Sequence, residues 1–223
     1  MIIVFNGPPG SGKDEAASYF KENLGFSSLS FKDQLFKETI NHFKVDTNWF
    51  MEDYDNREIK EKPCEVLNGL SRREALIYVS EEIIKPIKGK GYFGESVAQC
   101  IEEDKHYVIS DSGFVEELKP IVEKVGAENV VIIQIAREGC DYSNDSRRYL
   151  SGMLKKIYTI GAPTSIDEQY ILPEQVDVQT YRVHNNGTIR NYHDTLSNIF
   201  EELNELYNLR QVKGNANSQC NQS

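Results

Sequence analysis

"MIIVFNGPPGSGKDEAA", residues 1–17, passes from an apolar run through a turn of glycine and proline into helix-forming residues. The run "IIVFN" (2–6) is rich in β-branched and aromatic residues and reads as a buried strand, stopped at once by Gly7 and the prolines. The residues after Lys13 read as a helix. Between the two, Gly7, Gly12 and Lys13 keep the spacing G-x-x-x-x-G-K. That spacing lets backbone N–H groups curl around a phosphate while the helix points the positive end of its dipole at the same anion. Lys13 then reaches the outer phosphates. Asp14 stands where such loops carry Ser or Thr. A carboxylate is a poor neighbour for phosphates unless a cation lies between them, and Mg²⁺, which takes hard oxygen ligands directly or through its waters, is the expected cation. The plainer role for Asp14 is a favourable charge at a helix N-terminus.

Outward from that start, "FSSLSF" (26–31), "HYVIS" (106–110), "VVIIQIA" (130–136) and "TYRVHN" (180–185) read as further strands, with helical patterns between them. Alternating strands and helices predict an α/β fold whose parallel sheet is covered on both faces. Residues from about 45 to 105 contain no convincing strand. There, "SRREALIYVSEEIIKPI" (71–87) has apolar residues at helical spacing, with Ser71 placed as N-cap and Glu74 as its capping-box partner. The stretch is expected to form a helical lobe inserted between the second and third strands. "YHDTLSNIFEELNELYNL" (192–209) reads as an amphipathic closing helix with Leu196, Ile199, Phe200, Leu203 and Leu206 on one face. One domain over 1–211 is expected, and the polar end, 212–223, is expected to be disordered.

The 223 residues carry a formal net charge of -10, which weighs against nucleic-acid binding through a broad basic surface. Four scattered cysteines, Cys64, Cys100, Cys140 and Cys220, show no metal-ligand spacing and suggest reduced thiols in a cytoplasmic protein. The N-terminal apolar run is too short to span a membrane and lacks the basic flank of a signal, so no membrane partner is expected.

With "GSGKD" (10–14) in place, "SFKDQLFKE" (30–38), "SRREALIYVSEEI" (71–83) and "VISDSGFVEEL" (108–118) come in order, and the chain resembles the tailed-phage deoxynucleoside monophosphate kinases over most of residues 1–200. The resemblance implies a P-loop NTPase fold of the nucleoside-monophosphate-kinase type, ATP and Mg²⁺ as cofactors, and a deoxynucleotide acceptor. ATP would be held by Gly7, Pro8, Pro9, Gly10, Ser11, Gly12, Lys13 and Asp14. Asp33 falls in a segment that resembles the family's F-A-D-P-L-K, with Lys32 in place of a small residue. Arg72 and Arg73 fall on a basic pair at the start of a lobe helix and would contact the acceptor. Asp111 falls on the aspartate of D-x-R-F, and Arg137 on a basic residue after the fourth strand.

Gly113 departs from the pattern, because it stands where D-x-R-F has its arginine. An arginine fork is the natural binder of an acceptor phosphate, so either another arginine supplies the contact or the acceptor offers a hydroxyl. A hydroxyl acceptor points to related phage kinases that phosphorylate 5-hydroxymethyluracil already in DNA, and that branch is the preferred expectation. A kinase of free deoxynucleoside monophosphates is the alternative, a non-catalytic ATP-binding module a third reading, and a dephospho-coenzyme-A-type kinase shares the topology.

Phosphoryl transfer needs positioning, charge neutralisation and one group that orients or deprotonates the attacking oxygen. Asp33, just past the second strand, is the expected base. Asp111 closes "YVISD" in the manner of a metal-positioning aspartate and is expected to hold Mg²⁺ with Asp14. Lys13 is expected to act on the transferring phosphoryl, and Arg137, Arg147 and Arg148, after the fourth strand where related kinases place a lid, to neutralise that phosphoryl or cover the adenine. "KPIKGKGYFG" (85–94) mixes lysines, glycines and aromatics that suit either a phosphate backbone and an unpaired base or a helix connection packed by Tyr92 and Phe93.

Overall fold

The computed structural model describes residues 1–52, 54, 56–143, 145–166 and 177–207. They form two compact units, one comprising 1–29, 100–115 and the chain from 122 onward, the other 30–99 with 116–121.

The first unit is built on a six-stranded sheet in the order β2-β3-β1-β4-β6-β5, with every neighbouring pair parallel. The strands are β1 (Ile2–Asn6), β2 (Ser27–Ser28), β3 (Tyr107–Ile109), β4 (Val130–Ala136), β5 (Met153–Ile160) and β6 (Gln179–Asn185). All residues of β1 and β4 are buried, as strands covered on both faces must be. β1 lies between β3 and β4, and the chain leaves it first toward one edge and later toward the other. That makes the carboxyl end of β1 the switch point at which open α/β sheets form their ligand crevice.

Helix α1 (Lys13–Leu24) packs Ala16, Ala17 and Phe20 into the same core as Ile3, Phe5, Ile133 and Val183. The last helix of this unit, Ile189–Tyr207, closes that core with Leu196, Ile199, Phe200 and Leu203. Leu206, expected on the same face, is 59% exposed and stands outside that core. The polar segment 212–223 and Cys220 lie outside the described residues.

Two strand expectations change. The run 26–31 shortens to Ser27–Ser28, since the Leu29 N–H makes a last ladder bond to the Val108 carbonyl at 2.9 Å and Ser30 already caps the next helix. β5 is a strand that the sequence pattern does not announce. It lies at the sheet edge, exposed along nearly its whole length, with Lys155 and Lys156 at its middle, so it shows neither alternation nor an apolar run. Its pairing with β6, with an irregularity between Leu154 and Lys156, is what makes it a strand.

The second unit is helical: α2 (Phe31–Phe43), α3 (Thr47–Met51), α4 (Arg57–Lys60), α5 (Arg72–Tyr78), α6 (Lys85–Lys88) and α7 (Tyr92–Gln99). It takes in α2, which precedes the 45–105 stretch expected from sequence. Phe50, Leu67, Ala75 and Leu76 form its core, with Leu35, Phe36 and Ile40 packed against them. The capping box of Ser71 and Glu74 is present in both halves. Between α5 and α6 the backbone widens into a π-helix over Val79–Ile84, with the Lys85 N–H bonded to the Ser80 carbonyl. Pro86 explains the widening. It has no N–H to give, and its ring would strike the carbonyl four residues back in a regular α-helix. In the 85–94 segment Phe93 is buried, and Tyr92 bonds through its hydroxyl to Glu38, which also pairs with Lys88 at 3.0 Å. Helix α8 (Val115–Val125) follows β3, and the helix Ile189–Tyr207 is α9.

Candidate functional site

The loop between β1 and α1 turns on two glycines in the left-handed region, Gly10 at φ 81° and Gly12 at φ 106°. The Ser11 N–H closes the turn on the Pro8 carbonyl at 3.2 Å. Gly12 is the N-cap of α1 and has no side chain to offer, so it makes no cap bond to the first N–H groups of the helix. Such groups, with the helix dipole behind them, form an anion site. The Ser11 hydroxyl is also buried without a hydrogen-bond partner among the described residues. Lys13 adds a cation whose side chain is 6% exposed, 3.6 Å from the Asp14 carboxylate, with Nζ 3.5 Å from the Pro8 carbonyl. These donors fit a chain of phosphates.

Groups remote in sequence hold the loop in this shape. Asn185, at the end of β6, donates through Nδ2 to the Ser11 carbonyl at 2.9 Å, and the Tyr192 hydroxyl donates to the Gly12 carbonyl at 3.0 Å. Burial pushes the Tyr192 hydroxyl well above the usual phenol range, so it stays protonated and remains a donor. A Cβ at Gly12 would lie 2.7 Å from Asn185 Nδ2 and 3.2 Å from the Tyr192 ring. The glycine is thus required both by its backbone angle and by the two groups that brace it. Sequence patterns do not reveal Asn185 and Tyr192 as loop residues. Their one visible signal is position, at the end of a strand and at the start of the closing helix.

At the end of β1, buried Asn6 accepts from the Leu150 N–H at 2.7 Å and donates to the Arg148 carbonyl at 3.0 Å and the Tyr142 hydroxyl at 3.3 Å. Asn6 thus ties the loop after β4 to the end of β1, directly before Gly7. Asn6→Ala strands the Leu150 N–H in a buried setting and should cost about 1–3 kcal/mol, read as a lower denaturation midpoint in urea.

Next to Asn185, His184 is 7% exposed and accepts from the Thr164 N–H through Nδ1 at 3.0 Å. Burial first, and then the charge of Arg182, hold it below its ordinary value of 6.5. The unfolded chain therefore takes up a proton near pH 6.5 that the folded chain refuses. The stability this supplies is present above that pH and is lost as pH falls through the lowered folded value. The thermal midpoint should drop on acidification from pH 7 toward 5, and His184→Gln should flatten that part of the profile.

The metal candidates sit around the start of α1. Asp14, with a side chain 79% exposed, accepts from the Ser110 hydroxyl at 2.9 Å, which brings the end of β3 beside the first turn of α1. Asp111 is the next residue and is half-buried. Among the described residues no group of three or more His, Cys, Asp or Glu could hold a metal. Two carboxylates with phosphate oxygens and water suit Mg²⁺, which rarely takes an all-protein cage.

Exposed Arg137, just after β4, borders two cavities. The one beside the loop, about 250 Å³, is lined by Gly12, Glu15, Asn185, Gly187, Ile189 and Tyr192 as well. Ile189 is 57% exposed there, an apolar surface next to a guanidinium. The other, about 320 Å³, is lined by Cys140, Tyr142, Tyr149 and Thr164 among others. No helix occurs between β4 and β5 among the described residues.

The remaining expected residues belong to the helical unit. Asp33 is exposed in the first turn of α2, whose N-cap is Ser30, bonded to the Lys32 N–H at 3.2 Å. Arg72 is 7% exposed and donates to the Trp49 and Glu52 carbonyls at 2.7 and 2.9 Å, with its guanidinium 4.8 Å from the Trp49 ring centre. These are the contacts of a brace between α5 and α3. Arg73 pairs with Glu61 at 3.1 Å, with both side chains about 40% open to solvent.

Strand order, parallel sheet and glycine loop between β1 and α1 define an α/β P-loop fold, with a helical unit inserted after β2. No family model matches the chain. A candidate deoxynucleotide monophosphate kinase of Acanthamoeba polyphaga mimivirus is 34% identical over 85 residues, 38% of this chain and 42% of that protein, so the chain spans less than half the length of this relative. A solved structure of a candidate kinase from Chloroflexus aurantiacus J-10-fl overlaps 92% of this chain and 96% of its own at 11% identity, with a TM-score of 0.42. No helix among the described residues is long and apolar enough to cross a membrane.

Proposed function

We propose that this chain is an ATP-dependent kinase that phosphorylates a deoxynucleotide, with a free deoxynucleoside monophosphate as acceptor. The observation that carries the reading is the start of α1: a glycine N-cap without a side-chain acceptor, in a loop held open by Asn185 and Tyr192, with buried Lys13 at the first helical position. The mimivirus relative, named for a deoxynucleotide monophosphate acceptor, supports the acceptor class, and the net charge of -10 suits a small substrate better than a DNA backbone.

In this reading Gly7, Pro8, Pro9, Gly10, Ser11 and Gly12 shape the cradle and present its N–H groups. Lys13 binds the outer phosphates and neutralises charge that develops between them. Ile189 and the Arg137 guanidinium take the faces of the adenine in the cavity beside the loop. Asp14 and Asp111 would hold Mg²⁺, which supplies charge neutralisation at the transferring phosphoryl. Asp33 orients the acceptor, and takes its proton if the acceptor is a hydroxyl. Of the basic pair, Arg73 has the more open guanidinium and is the one left for the acceptor role, while Arg72 braces the start of α5.

The second reading, transfer to the hydroxymethyl group of 5-hydroxymethyluracil in DNA, is favoured by the missing side chain at Gly113. One experiment separates the two: γ-labelled ATP with Mg²⁺, run against free deoxynucleoside monophosphates and against DNA that contains 5-hydroxymethyluracil. Label in a deoxynucleoside diphosphate supports the proposal, and label retained on the DNA base replaces it with the second reading. Label in neither, from a folded chain that binds ATP, returns the protein to a non-catalytic nucleotide-binding module.

A further inference from the structure

Resting on that kinase reading, we propose that Arg147 grips a phosphate of the substrates at the end of β3, in the space that Gly113 leaves open, with Asp145 as the residue that positions it. Gly113 is not in the left-handed region, so its backbone gives no reason for glycine. Its surroundings do. A Cβ at 113 would lie 2.3 Å from Arg147 Cβ, 2.5 Å from Cγ and 2.9 Å from Cδ. The arginine stem runs where a side chain from 113 would have to start, and the two positions share one volume.

This contact is fixed from both sides. The Arg148 N–H donates to the Gly113 carbonyl at 3.1 Å, and Asn6, the residue before the phosphate loop, holds the Arg148 carbonyl and the Leu150 N–H. Arg147 is thereby seated at the carboxyl ends of β1 and β3, the end of the sheet from which the phosphate loop departs. Its guanidinium is a fork already oriented: Nε donates to Asp145 Oδ1 at 2.9 Å, and Nη2 to Oδ2 at 2.5 Å. The side chains are 18% and 9% exposed, so the pair is well shielded without being sealed. Burial works against the arginine's charge while Asp145, and more weakly Asp111, hold it in place. A guanidinium has five N–H donors, and the pair with Asp145 uses one edge of the fork. A phosphate oxygen is the acceptor that suits the remainder.

The phosphate is either the donor's terminal group or the acceptor's own, and the test separates them without any assay of turnover. The full-length chain is titrated calorimetrically, with Mg²⁺, with tripolyphosphate, which ends at the donor's terminal position, and with pentapolyphosphate, which reaches past it. Arg147→Gln should weaken tripolyphosphate by about tenfold or more if the donor is gripped. If the acceptor is gripped, it should leave tripolyphosphate unchanged and abolish the tighter binding of pentapolyphosphate. The exchange Gly113→Arg with Arg147→Gly should bind more tightly than Arg147→Gly alone, because the new stem can enter the vacated volume. Arg147→Lys keeps the stem and the charge but not the fork, so it decides the matter if Arg147→Gln does not fold. Binding of both polyphosphates at wild-type strength by a folded Arg147→Gln or Arg147→Lys chain would overturn the assignment, as would an exchange variant no better than Arg147→Gly. Wild-type chain that binds neither polyphosphate would remove the phosphate-loop reading itself, and the Arg147 assignment with it.

Discussion

Lys13→Met is expected to lower phosphoryl transfer by on the order of 10²–10³-fold, the cost of removing one preorganised charge from a transferring group, while the empty protein melts no lower than wild type. The two halves have one cause. Lys13 occupies the first position of α1, where the helix dipole is positive, and its side chain is 6% exposed. A cation there opposes the dipole and loses solvent, with the Asp14 carboxylate at 3.6 Å and the Pro8 carbonyl as its partial compensation. A lysine held at that position is costly to bury, and in the kinase reading it is the counter-charge of the bound phosphates. Met keeps the stem and removes the charge. Transfer within tenfold of wild type would refute the role, and a large fall in melting temperature would show that Lys13 serves the fold instead.

Gly7→Ala should be the most damaging of the loop substitutions for stability. A Cβ at this position would lie 2.4 Å from the Ile135 carbonyl oxygen and 2.6 Å from the Ser11 hydroxyl. The first is backbone of a fully buried central strand and cannot turn aside as a side chain can. Either the loop lifts from β4 or the strand shifts, and overpacking of this kind costs about 1–3 kcal/mol. Urea denaturation reads the loss in stability, and ATP binding reads the loss of the cradle. An unchanged midpoint with unchanged affinity would mean that the loop does not pack against β4 as described.

The part of this design legible in one dimension is the part made by neighbours in the chain. The β-branched run, the glycine spacing and Lys13 lie within thirteen residues, so strand, turn and helix start are read together. The capping box at Ser71 is legible for the same reason, since both partners lie on one helical turn. Arg72 is equally visible as a basic residue, and the resemblance to the kinase family assigns it to the acceptor. Its bonds to the Trp49 and Glu52 carbonyls depend on how α5 meets α3, which the residue type does not record. β5 escapes because an exposed edge strand is defined by its partner and not by its own pattern.

The sequence by itself determined an α/β chain with a phosphate loop after its first strand, because propensity, periodicity and turn chemistry act over a few residues. The tertiary structure decided what holds that loop and what fills the gap at Gly113. Asn185 and Tyr192 brace the Ser11 and Gly12 carbonyls, and Asn6 docks the segment that carries Arg147. In each case the partners are more than 140 residues apart in the chain, at 174, 180 and 144 positions of separation. Contacts of that kind arise from the order of strands in the sheet, which brings the ends of β1, β3, β4 and β6 to one edge and leaves no periodic trace in the chain that makes them.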